Sequence, residues 1–289
     1  MRAHLLPPSA VLAGLLIGGL TGAEAQVAPP DSVQSAWLDV NGEPLPLQAN
    51  AELEEFLRTA RVVDSKKTEH GRYGVRRLRL EKDGVAAHAA CRTIAIEDRW
   101  RRLPDRDVWF FRDHHIHEPA AYALSELFGF EMVPPAVQRP VGGRGASLQI
   151  WIEGAMVGIE RYERGIEPPD PRRYELQRYQ MRLFDNLINN LDRNLGNVLI
   201  DSDWRIWLID HSRSFVRDQK LPDPQQVRRV ERGVWERLRS VSDEELDAAM
   251  EPYLGGPERA AVLERRRLLV ELIEEKIALL GEDGILFSW

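Results

Sequence analysis

In the middle of this chain Asp192 is followed five residues later by Asn197, and Asp210 closes a short apolar run further on. These residue types in this order suit metal-dependent phosphoryl transfer, which is catalysed mainly by positioning and charge neutralisation. Asp192 is placed to orient or deprotonate an attacking hydroxyl. Asn197 and Asp210 offer the hard oxygen ligands that Mg²⁺ or Mn²⁺ prefers. Between them, Val-Leu-Ile at 198–200 and Arg-Ile-Trp-Leu-Ile at 205–209 predict two short strands, turning at Asp201, Ser202 and Asp203, that bring Asp210 back beside Asn197. Taken singly, Asp185, Asn189, Asp192 and Asn197 read as caps and turn residues, where Asp and Asn are common. As a set, with an aspartate ending an apolar strand, they point to a site.

The flanking sequence supplies the elements that must hold them. Leu176, Leu183, Leu187 and Leu191 recur with Phe184 and Ile188 at helical spacing, so a helix delivers the loop. Further helices are predicted over 223–239, 243–253 and 257–280. The first half reads differently. A helix is predicted over 51–59, and from Tyr73 onward Val75, Leu78 and Leu80 alternate with Arg77, Arg79 and Glu81. The chain then turns at Lys82, Asp83 and Gly84 and continues as a strand over 85–94, a hairpin signature. Residues 118–128 predict a helix with Pro119 in its first turn and Gly129 stopping it. Three prolines within 133–141 allow only short or edge strands. A glycine-rich turn follows at 142–145, then a strand over 147–152 and a hinge at Glu153 and Gly154. Strands first and helices after describe an α+β chain of two lobes meeting near residue 153.

The run Asn-Leu-Asp-Arg-Asn-Leu-Gly-Asn at 190–197, followed by Leu208, Ile209, Asp210 and His211, resembles the catalytic loop and metal-binding aspartate of atypical kinases related to the phosphatidylinositol 3- and 4-kinases. HipA-like and secretory-pathway kinases are more distant relatives. The resemblance implies a two-lobed protein-kinase-like fold, with a small antiparallel β-sheet N-lobe bearing one helix (51–153) and a mainly helical C-lobe (154–289). It also implies ATP with Mg²⁺ or Mn²⁺. In that frame Glu118 matches the glutamate that pairs with a phosphate-binding lysine, and Arg92 falls where the lysine is expected. This is a departure, because arginine is a broad planar fork and lysine a compact point charge. Lys66 or Lys67 is the alternative source of an ammonium. Residues 63–71 lie where a phosphate-covering loop is expected, with Gly71 and Gly74 its nearby glycines. Ala86, Ala87, Ala89 and Ala90 suit either an adenine ring or tight packing. The backbone at Ile152 and Glu153 would read the base edge. Arg213 is expected to pair with a carboxylate near the site, and Arg193 to be a structural partner within the loop.

The whole chain sets bounds. A net charge of −7 over 289 residues argues against a general nucleic-acid binder. Arg2 and His4 precede an apolar run at 10–20, and Ala23-Glu24-Ala25 is a small-x-small cleavage pattern, so residues 1–25 read as a signal peptide. The expectation is export to a periplasm or the exterior, with residues 26–50 as a linker. The apolar run is shorter than the roughly 18 residues of a membrane span. Cys91 is the lone cysteine, which leaves no intramolecular disulfide.

Rival sites are weaker. Asp113, His114, His115, His117 and Glu118 could ligate Zn²⁺, but their spacing does not match a helical His-Glu-x-x-His motif, and a polar helix start explains them. Nothing around Ser147, Ser212 or Ser214 forms a nucleophile elbow, and Trp100, Trp109, Phe110 and Phe111 read as packing residues. Two functions follow. One is an exported kinase transferring the γ-phosphate of ATP to an unidentified hydroxyl acceptor, most plausibly on a protein. The other is a pseudokinase, a nucleotide- or protein-binding module.

Overall fold

A computed structural model describes residues 37–68, 75–104 and 106–289. The expected signal peptide, and Gly71 and Gly74 of the expected phosphate-covering loop, lie outside the described residues.

Helix α1 (Asn50–Thr59) opens with half of a capping box: Glu52 accepts from the Ala49 N–H at 3.2 Å, while alanine has no side-chain acceptor to return the bond. Five strands follow it into one antiparallel sheet: β1 (Arg61–Lys67), β2 (Arg76–Lys82), β3 (Val85–Arg92), and later β6 and β7. Asp83 and Gly84, both at positive φ, make the β2–β3 turn as the sequence predicts. Between β3 and the next helix lies a separate two-stranded hairpin, β4 (Ala95–Arg102) and β5 (Asp107–His114). Sequence reading leaves it unassigned, because charges fall on both of its faces and its connection has no tight-turn glycine.

Helix α2 (His117–Phe128) carries Pro119 in its first turn. It stops at Gly129 in the left-handed region (φ 71°), where the Phe130 N–H closes the end on Ser125 O. Strands β6 (Ala136–Val141) and β7 (Arg144–Ile150) complete the sheet in the order β1-β2-β3-β7-β6. The proline-bearing β6 is indeed an edge. After the hinge come β8 (Met156–Val157), α3 (Gly158–Glu163) and the long α4 (Pro171–Ile188). Asp170 caps α4 and Pro171 stands at its start. Strands β9 (Val198–Ile200) and β10 (Ile206–Leu208) pair antiparallel. The chain ends in β11 (Val230–Glu231), α5 (Arg232–Ser240), α6 (Asp243–Met250), α7 (Gly256–Leu280), α8 (Glu282–Ile285) and β12 (Leu286–Phe287). Helix α5 starts nine residues later than predicted, because Val227 and Val230 are buried and β11 pairs in parallel with β12.

Two cores result. One face of the sheet buries Leu78, Leu80, Ala87, Ala89, Cys91, Leu148 and Ile150 against Leu53, Phe56 and Leu57 of α1. The second core gathers Leu183, Phe184, Leu187 and Ile188 of α4 with residues of α5, α6 and α7. Ala120, Leu124 and Phe128 of α2 belong to this helical core, so α2 is anchored there. The fold is thus α+β and two-lobed, a sheet lobe and a mainly helical lobe, with α1 as a further helix on the sheet. The four alanines of β3 divide by strand alternation. Ala87 and Ala89 are fully buried in the sheet core, whereas Ala86 and Ala90 share the opposite face with Arg92. No described helix is long and apolar enough to cross a membrane.

Candidate active site

The open face of the sheet ends in Arg92, the last residue of β3, whose side chain is only 11% exposed. Its Nε donates toward Glu118 Oε1 at 3.2 Å and its Nη1 toward Asp210 Oδ1 at 3.1 Å. Arg92 therefore bridges α2 to Asp210, two residues beyond the end of β10. Burial would by itself lower its pKa, but the Glu118 and Asp210 carboxylates outweigh that and hold it above the ordinary arginine value. Glu118 is 0% exposed and is kept ionised the same way: burial opposes its charge, while Arg92 and hydrogen bonds from His211 favour it and bring the pKa below normal. The His211 N–H donates to Glu118 Oε1 at 2.9 Å, and the His211 ring lies 3.2 Å from Oε2.

Asp210 sits at φ 57°, in a region few non-glycine residues adopt. The turn points its carboxylate back at Arg92 and lets Ser212 Oγ donate to Oδ1 at 3.0 Å. Both of these contacts fall on Oδ1. The loop leading to it is tightly defined. Asn189 ends α4 in the left-handed region (φ 49°), as a C-capping asparagine can. Arg193, nearly buried, takes Asp185 with its Nε and donates to the carbonyls of Asn197 and Ile209, which ties the loop to the end of β10. The Asn197 amide nitrogen donates to Asp192 O at 2.8 Å, which leaves its Oδ1 as the group available to a ligand. Asp192 itself remains 38% exposed, with Arg213 Nη1 at 3.1 Å from its Oδ2 and Asn194 donating to its Oδ1.

This arrangement fits a divalent ion. An aspartate carboxylate and an asparagine oxygen, both hard donors, are offered on segments joined by the Ile209 N–H bond to Asn197 O at 3.2 Å. Asp210 and Asn197 would hold the metal, and the partly exposed Asp192 would face an acceptor.

Of the other residues read from sequence, Lys67 lies exposed on β1, and it is Arg92 that stands beside Glu118. Lys66 is exposed and 3.7 Å from Asp64. Ile152 packs against the sheet core, and Glu153 turns its carboxylate to Arg77 and His88. The histidine run is scaffold. His117 lies 2.8 Å from Ser212 O through its Nδ1, and the His114 N–H bonds the same carbonyl. Desolvation, with nearby Arg112, pushes the His117 pKa down to about 3 and that of His114 down to about 4. No group of metal-binding side chains among the described residues includes them.

Sequence reasoning missed the reach of Arg213, which bonds Asp113 at 2.8 Å as well as Asp192 and so couples β5 to the loop. It also missed Arg77 and His88. Their only sequence signal is polar side chains at alternate positions of strands already read as a hairpin. The packing expected of the hairpin aromatics holds for Phe111 alone. Trp100, Trp109 and Phe110 are 48%, 61% and 46% exposed.

No protein-family model matches the chain, and no curated protein does. Solved structures do. A hydra Fam20 solved with sugar aligns at a TM-score of 0.60 and 14% identity, over 84% of this chain and 94% of its own. A Golgi casein kinase with Mn and ADP bound aligns at 0.59 and 15% identity, over 82% of this chain and 78% of its own. These identities speak to architecture: the chain has an atypical kinase-like fold.

Proposed function

We propose that this protein is an exported atypical kinase that transfers the γ-phosphate of ATP to a hydroxyl on a protein. The observation that carries the reading is the buried bridge of Arg92 to Glu118 and Asp210, set beside the loop that presents Asp192 and Asn197. The Golgi casein kinase was solved with Mn and ADP, which supports the same ligand class here. The loop order also supports kinship with the phosphatidylinositol 3-/4-kinase relatives. Residues 1–25 support export.

In this reading Arg92, fixed by Glu118, keeps its Nη2 group for a phosphate oxygen, since Nε and Nη1 are engaged. A divalent ion held by Asp210 and Asn197 would offset phosphate charge. Asp192 takes the proton of the acceptor hydroxyl at Oδ1, the oxygen not paired with Arg213, while Arg213 fixes the carboxylate's orientation. The domain division at residue 153 follows from the same reading.

A second reading, a pseudokinase, has its own observation. Arginine replaces the lysine and already occupies one oxygen of Asp210, and a second arginine occupies Asp192. Titration calorimetry of the chain from Gln26 onward with ATP, with and without Mg²⁺ or Mn²⁺, beside Asp210→Ala, tests the site. The kinase reading expects metal-dependent binding that the variant loses, and label transfer from γ-labelled ATP that Asp192→Asn reduces about 10³-fold. Binding without any transfer would favour the pseudokinase. Absence of binding under all conditions would sink both nucleotide readings.

A further inference from the structure

The sheet face that carries Arg92 also carries a polar cluster that the phosphate chemistry leaves unused. Ala90 and His88 precede Arg92 by two and four residues on the same face of β3, and Arg77 stands opposite Ala90 in the β2–β3 register. Arg77 therefore lies about 7 Å along the strand from the phosphate end, toward the hinge. There its Nη2 meets both carboxylate oxygens of Glu153, at 2.8 and 2.6 Å. His88 Nδ1 lies 2.6 Å from Glu153 Oε1 and 2.9 Å from Arg77 Nη2. The guanidinium carbon is 4.8 Å from the centroid of the Trp151 ring. The Trp151 backbone N–H in turn bonds His88 O at 3.0 Å, which joins the start of the hinge to β3.

Such a cluster does more than hold a hinge. One edge of the guanidinium is claimed by a carboxylate and one face by an indole, yet the side chain is still 35% exposed. A nucleotide whose phosphates meet Arg92 and whose base reaches Ile152 and Glu153 must pass beneath Ala90 and Arg77. An aliphatic ceiling would offer such a base only dispersion. A guanidinium held in one plane offers stacking and a cation–π attraction as well. We propose that Arg77, oriented by Trp151 and Glu153, is the base-contacting residue of this site, with the base stacked on its open face. The inference rests on the nucleotide reading above and adds to it the residue that recognises the base.

The test compares a ligand that has a base with one that lacks it. Affinities for Mg²⁺–ATP and Mg²⁺–tripolyphosphate are measured by calorimetry on the wild-type protein, Arg77→Met and Arg77→Lys, with thermal melts to verify folding. The expected result is that Arg77→Met weakens ATP about tenfold and leaves tripolyphosphate unchanged. Arg77→Lys, which keeps the charge and loses the plane, should fall between. If Arg77→Met weakens both ligands in parallel, or neither, the inference is overturned. Tighter ATP binding in Arg77→Met would overturn it as well, since Arg77 would then be a latch across the cleft. A wild-type protein that binds neither ligand would overturn the nucleotide reading itself, an outcome distinct from the others. If Arg77→Met fails to fold, the ratio of the two affinities in Arg77→Lys decides.

Discussion

Arg92 and Arg265 are both withdrawn from water, one at 11% side-chain exposure and the other at 0%, yet they do opposite things. Arg92 faces carboxylates, Glu118 and Asp210, and is held in its charged form. Arg265, inside α7, faces backbone carbonyls: Nε bonds Leu187 O, and Nη1 bonds Val216 O and Asp218 O. Desolvation brings its pKa down to about 9. A buried arginine among carbonyls acts as a clamp, here joining the end of α4 to the segment after Asp210. A buried arginine between two carboxylates, with an amino group to spare, is an incomplete charge cluster, and incompleteness of that kind marks a site. Burial by itself cannot tell the two apart.

Breaking each arginine separates them. Arg92→Met strands the ionised Glu118 in the interior, so stability should fall by roughly 3–5 kcal/mol in denaturant melts and ATP binding should vanish. Adding Glu118→Gln to that variant should recover most of the stability and none of the binding. Arg265→Met removes a cation whose one opposing charge is the nearby Asp218, and it leaves three carbonyls short of a donor. About 3 kcal/mol of stability should be lost while the folded fraction still binds ATP with wild-type affinity. A loss of affinity in the folded fraction would dissolve the distinction.

The pH dependence sharpens the contrast around Arg92. His117 and His114 have depressed folded-state pKa values of about 3 and about 4, so their contribution is fully present above the ordinary 6.5. It is lost as pH falls from there toward the folded values, because the unfolded chain binds the proton first, by about 1.4 kcal/mol per pH unit for each such group at most. His114 is only partly buried, so its share is smaller. Thermal melts from pH 7 to 4.5 should show this slope, and His117→Gln should flatten it. A slope unchanged in that variant would assign the acid sensitivity elsewhere.

The smallest effect concerns the hairpin. Phe110 is held at φ 54° with Arg217 4.3 Å from its ring centroid. Phe110→Gly removes backbone strain and loses the cation–π contact, two terms of about 1 kcal/mol that oppose each other. Stability should move by less than about 1 kcal/mol in melts, and a large drop would make the contact dominant.

What the chain determined alone was local. The αL asparagine and glycine that end α4 and α2, the Asp83–Gly84 turn, the helix delivering the loop and the order Asp192, Asn197, Asp210 all rest on short-range propensity, which a single sequence displays. The α+β division rested on periodicity and was legible for the same reason. Tertiary structure decided which cation met which anion. Lys66, Lys67 and Arg92 are all near in sequence to the first half of the site, but only β3 ends where α2 and the turn after β10 converge. It also decided that Asp113 reaches Asp192 through Arg213, that Ala90 and not Ala89 shares the open sheet face with Arg77, and that Trp100, Trp109 and Phe110 of the hairpin stay in water while Phe111 is buried. These choices depend on strand register and on contacts between residues as much as a hundred positions apart. Composition and spacing carry no record of them, because the free energy that selects them comes from burial and charge pairing that exist only once the chain has closed on itself.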